Sequence, residues 1–138
     1  MQTSPALSSA AGRHARDMAS SATFSHAGSD ASSVASRIAD AGFTTFPLGE
    51  NIAAGYASVR AVSLAWACSA GHRANLLACG FDAVGSGAAV ALGTPYTIYF
   101  AQEFGCTRPE YDCTCRAGCA RGTRERRGGG RASPSPIP

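Results

Sequence analysis

The 138-residue sequence predicts a single α+β domain. Three stretches in its first half carry apolar residues at three- and four-residue spacing, the period of an amphipathic helix. Its second half holds two small, β-tolerant stretches separated by a turn, and helices followed by paired strands read as α+β. A chain of this length buries one core. Hydrophobic residues make up 45% of it, but alanine dominates them, so the expected core is thin.

From Pro5 to Ala22, Leu7, Ala11, Ala15, Met18 and Ala22 form one stripe, with Ser4 to cap the helix and Pro5 in its first turn. His14 borders this stripe and reads as a packed or half-exposed helix residue. Phe24-Ser25-His26 leaves the helix for the turn-rich Ala27-Gly28-Ser29-Asp30, which places His26 on a loop anchored by Phe24. Ser33 to Ala41 is a shorter helix, with Val34, Ile38 and Ala41 inward and Gly42 as its stop. Thr44 to Leu48 is irregular around Pro47. Gly49 to Gly55 is small and apolar except for Glu50 and Asn51, and reads either as a helix entry or as a short buried strand aiming Glu50 inward. Burying that carboxylate is costly unless a positive or hydrogen-bonding partner faces it.

A third helix runs from Ser58, its cap, to Ser69, with Val59, Val62, Ala65 and Trp66 on one face. Gly71 is expected to close it in the left-handed conformation, leaving His72 at a chain reversal and Leu76 and Leu77 to pin the turn behind it. Ala83 to Ala91 and Tyr96 to Phe104 are the two strands. Tyr96, Ile98, Phe100, Gln102 and Phe104 alternate onto one side, and Leu92-Gly93-Thr94-Pro95 turns the pair antiparallel.

The net charge is +3, and all twelve basic residues are arginines, half of them beyond residue 115. Residues 1–115 hold six arginines against eight acids, so the folded part has no footprint for nucleic acid. No stretch is long and apolar enough to span a bilayer, and residues 1–20 lack the charged start and apolar run of a signal peptide. Six cysteines point to an oxidising compartment. Cys68 with Cys79 would clip the His72 segment, and Cys79 with Cys106 is the competing pair. Cys106, Cys113, Cys115 and Cys119 lack the paired C-x2-C hooks of ordinary zinc sites, which favours disulfides. The folded domain is expected over residues 1–106, followed by an Arg/Gly/Pro-rich flexible tail over 107–138.

Phe24-Ser25-His26, Gly49-Glu50-Asn51-Ile52-Ala53, Trp66 with Ser69 to Leu77, Val84-Gly85-Ser86-Gly87 and Gln102-Glu103-Phe104-Gly105 occur in the order of the CAP superfamily. That superfamily covers cysteine-rich secretory proteins, antigen 5 and plant pathogenesis-related proteins. Over roughly residues 6–106 the chain resembles its short bacterial and algal, SCP-like members. The resemblance implies an α-β-α sandwich around a small antiparallel sheet, a chain that begins after the helix with which members usually open, and secretion. It also implies a cleft lined by two histidines and two acids. By motif, His26 is the first histidine, Glu50 the acid and His72 the second histidine, while the second acid has no match. Trp66, Ser69, Asn51, Asn75 and Gln102 fall in supporting positions.

Two imidazoles and a carboxylate are zinc-type ligands, so a divalent metal held by His26 and His72, with Glu50 orienting a water, is the expected cofactor if there is one. A secreted monomeric binding module for a lipid, sterol, glycan or protein is the leading functional reading. A metal-assisted hydrolase with Glu50 as general base comes second. Neither a His-Glu-x-x-His helix nor a Gly-x-Ser-x-Gly elbow supports catalysis. A purely structural extracellular role is the third reading.

Overall fold

A computed structural model of the chain describes residues 1–108. Local signals fix most of the helices. Ser4, Ser33 and Ser58 each accept a backbone N–H and so cap α1 (Pro5–Ser21), α2 (Val34–Asp40) and α3 (Val59–Cys68). α1 ends where Ala22 turns left-handed, and Gly42 follows α2 with a φ of +89°.

Four strands complete the fold: β1 (Gln2–Thr3), β2 (Leu48–Ala54), β3 (Ala83–Val90) and β4 (Ile98–Gly105), in sheet order β1-β3-β4-β2. β3 and β4 pair antiparallel as expected, and β2 pairs antiparallel along the other side of β4. The Glu50 segment is therefore a buried strand. The sheet is mixed rather than purely antiparallel, because β1 runs parallel to β3. With two residues leading straight into the Ser4 cap, β1 is too short to carry an alternation that the sequence could reveal.

Helices cover both faces, giving three layers. On one face, Ala11, Ala15 and Met18 of α1 pack on Ile52, Tyr99 and Ala101, while Leu7 and Ala10 meet Ile38, Phe43 and Ala83. On the other, Val62 and Trp66 of α3 pack on Ala53 and Phe100. The alanine-rich core is thin because α1 lies almost on the backbone of β3. A Cβ at Gly85 would overlap the Ser8 nitrogen, and one at Gly87 would overlap Gly12. Small residues on both elements permit that approach.

The tryptophan segment differs from expectation. Gly71 closes nothing: α3 stops at Cys68, Ser69 is extended, and Gly71 and His72 lie inside α4 (Ala70–Leu77). The extended turn falls on the serine, whose hydroxyl has a local partner described below, and the glycine continues the next helix. Val59 and Leu77, expected inward, are 70% and 75% exposed, since Val62, Trp66 and Leu76 already supply the contacts with the sheet. Cys68 is an exposed free thiol whereas Cys79 and Cys106 are disulfide-bonded, so the Cys68–Cys79 clip does not form. Cys113, Cys115, Cys119 and residues 109–138 of the expected tail lie outside the described residues, while Thr107 and Arg108, its first two, are bonded to Asp82.

Candidate functional site

Consecutive residues of β2 point to opposite faces, and the site divides accordingly. Glu50 turns toward α1 and α2, Asn51 toward α4. The positive partner that a buried Glu50 requires is Arg37 of α2, whose Nη2 donates to Oε2 at 2.7 Å; both side chains are essentially sealed from solvent. Arg37 also donates from Nη2 to the His26 carbonyl at 2.9 Å and from Nη1 to the Ser32 carbonyl at 3.0 Å. The Nδ1–H of His26 donates to Glu50 Oε1 at 2.5 Å, and with a side chain 60% exposed His26 connects the buried acid to solvent.

His14 and Glu103 complete this cluster. His14 is fully buried on α1, donates from Nε2 to the Ser25 carbonyl at 2.9 Å and lies 3.7 Å from Glu50 Oε2. Burial lowers its pKa, with the Glu50 charge opposing that shift and the Arg37 charge adding to it. Glu103 is fully buried on β4 directly across the ladder from Glu50. Burial pushes its pKa up to about 9, helped by the charge of Glu50 and a hydrogen bond with it, and opposed by Arg37. As a carboxylate Glu103 would have no donor for either oxygen. Protonated, Glu103 carries no charge that would need a donor, and burial favours that form.

On the other face, α4 is held to β2 by amides. Asn75 Nδ2 donates to the Glu50 carbonyl at 3.1 Å and to Asn51 Oδ1 at 2.9 Å, and Asn51 Nδ2 donates to the His72 carbonyl at 3.3 Å. Gln102 extends this network, accepting from Asn51 at 3.4 Å. The indole N–H of Trp66 donates to the Ile52 carbonyl at 3.2 Å. His72 is half-buried, and its Nδ1 lies 2.8 Å from Ser69 Oγ.

Of the sequence-predicted residues, His26 and Glu50 are in contact, while His72 reaches the edge strand from the α4 side with Ser69 as its side-chain partner. Among the described residues no three His, Cys, Asp or Glu side chains are placed to hold a metal ion. Both Glu50 oxygens are already engaged, by His26 and by Arg37. Three members of the buried cluster, His14, Arg37 and Glu103, were not among the sequence candidates. Arg37 stands three residues after Val34 on the inward stripe of its helix, the one signal that could have marked it.

A cleft of about 340 Å³ opens along β2 beside these groups. Phe24, Tyr56, Trp66 and Tyr96 supply rings, Ile52 and Ala53 supply aliphatic surface, and Ser69 and His72 place polar groups in its wall. Phe24 and Tyr96 touch, with centroids 5.8 Å apart.

The family model described as "CAP: Cysteine-rich secretory protein family" matches residues 1–104. Among solved structures, the chain is similar to an extracellular protein containing a SCP domain from Bacillus anthracis. The TM-score is 0.67 at 26% identity, covering 77% of this chain and 33% of that one. It is similar in fold to an outer surface protein of Borrelia burgdorferi, with TM-score 0.69, 19% identity and 78% of each chain covered. A cysteine-rich secretory protein of Staphylococcus aureus shares the fold at TM-score 0.57 and 19% identity, over 76% of this chain and 31% of that one. The chain thus spans about a third of the length of the first and third of these. No curated protein matches it.

Proposed function

Because the chain belongs to the cysteine-rich secretory protein (CAP) family, we propose that it is an exported binding module whose cleft takes a small apolar ligand such as an acyl chain or sterol. The observation that carries this reading is the ring-lined cleft beside β2. Its volume and lining, mostly apolar with a few fixed polar groups, are those of small-molecule sites. Export is supported by the descriptions of the similar proteins as extracellular and outer-surface. No helix among the described residues is long and apolar enough to cross a membrane.

Trp66 is the only tryptophan in the chain and lines the cleft, so its emission reports occupancy directly. Titration with a long-chain fatty acid and with a sterol should give a saturable change for at least one of them. Ala65 also lines the cleft, and Ala65→Phe, which fills it, should abolish the change while the protein stays folded by circular dichroism. Emission indifferent to both probes, or a response untouched by Ala65→Phe, removes the cleft as a ligand site.

A further inference from the structure

We propose that Ser69 and His72 form a nucleophile–base dyad that hydrolyses esters whose acyl part lies in the cleft. The inference rests on the cleft admitting an apolar chain. Among the described residues four serines cap helices, and three of them turn the hydroxyl onto a backbone N–H of the first turn, as N-cap serines ordinarily do. Ser69 is the exception. It stands at the N-cap of α4 without a cap bond, and its Oγ meets His72 Nδ1 at 2.8 Å instead. With the imidazole proton on Nε2, the hydroxyl donates to Nδ1, the arrangement that readies a serine for attack.

The surroundings suit the chemistry. α4 makes its first main-chain bond from Arg73 N–H to the Ser69 carbonyl, so the N–H groups of Gly71 and His72 have no partner within the helix. They lie at the turn that carries Oγ, where the oxygen of an attacked carbonyl gathers negative charge. A side chain at Gly71 would meet nothing within 4 Å, so the approach to this turn is open. Asn51 pins the His72 carbonyl and Asn75 pins α4 to β2, which fixes the base relative to the cleft floor.

In the first half-reaction Oγ attacks the ester carbonyl carbon as Nδ1 takes the hydroxyl proton. The bond from that carbon to the alkoxy oxygen breaks, and the departing alcohol takes the proton from Nδ1, leaving an acyl ester on Ser69. Water then attacks the same carbon and gives a proton to Nδ1. The bond to Oγ breaks, Oγ recovers the proton, and the carboxylic acid leaves.

The test uses the full chain with p-nitrophenyl butyrate as substrate and an alkyl fluorophosphonate as covalent probe, the adduct being located by peptide mass mapping. Labelling at Ser69 is expected, with hydrolysis lowered at least about 100-fold by Ser69→Ala and by His72→Gln, the loss that removal of a nucleophile or its base brings. An unlabelled Ser69, or labelling and hydrolysis unchanged by His72→Gln, overturns the dyad. A fatty-acid titration of Trp66 emission on the same samples separates the failures. Binding without labelling overturns the dyad alone; neither binding nor labelling overturns the cleft reading as well.

Discussion

Exchanging Glu103 for glutamine should remove most of the alkaline sensitivity of the fold. Glu103 faces Glu50 across the β2–β4 ladder, and its carboxyl, raised from 4.5 to about 9, keeps a proton that the unfolded chain releases. Its stabilising contribution is therefore complete below pH 4.5 and declines as pH rises towards 9. Each pH unit in that window costs about 1.4 kcal/mol, so on the order of 3 kcal/mol is gone by pH 7. His14 acts with the opposite sign. Its lowered pKa contributes stability that is present above 6.5 and lost as pH falls below that value. The two oppose each other just below 6.5, and above 6.5 Glu103 acts alone. Urea unfolding followed by Trp66 emission should give a midpoint that falls steadily from pH 6.5 to 9, with a shallower slope just below 6.5. In Glu103→Gln the amide is neutral at every pH, so the alkaline fall should disappear. Parallel slopes for the two proteins between pH 6.5 and 9 would refute a protonated Glu103.

Arg37→Met leaves Glu50 buried without its charge partner and should cost on the order of 3–5 kcal/mol in urea unfolding, the usual result of breaking a sealed ion pair. Gly85→Ala forces α1 off β3 and should cost about 1–3 kcal/mol, read as a lowered thermal midpoint. His26→Ala removes the donor to Oε1 of the buried Glu50 and should cost about 1–3 kcal/mol in urea unfolding. Arg37 and His14 still hold the His26 and Ser25 carbonyls of the loop carrying Phe24, so fatty-acid binding by Trp66 titration should be unchanged. Zinc should leave the thermal midpoint unchanged, since Glu50 is already engaged; saturable zinc binding by calorimetry, lost in both His26→Ala and His72→Ala, would contradict that.

What the sequence made legible was local. The caps at Ser4, Ser33 and Ser58, the helix stripes and the β3–β4 hairpin depend on neighbours a few residues apart, and they appear in the structure as expected. β2 stayed open between strand and helix entry because its small residues suit either, and only pairing with β4 decides. Gly71 misled because a glycine after a helical stretch signals a stop only when the preceding residue has not already provided one; here Ser69 had. Glu50 was marked as an acid in need of a partner, yet Arg37, Glu103 and His14 come from three separate elements. Their convergence depends on how α1 and α2 lie on the sheet, which no window of sequence contains.

β2 is an outermost strand, and such strands invite another chain to pair with them. Two carbonyls along it are instead occupied from the side, Ile52 by the Trp66 indole and Glu50 by the Asn75 amide. A foreign strand seeking those acceptors finds them taken by side chains of α3 and α4. While both helices stay seated, those two acceptors are closed to an incoming strand, which weakens pairing across β2. The first event of any fibrillar misassembly through this edge is then the lifting of α3 and α4, which would register as a change in Trp66 emission before aggregates scatter light.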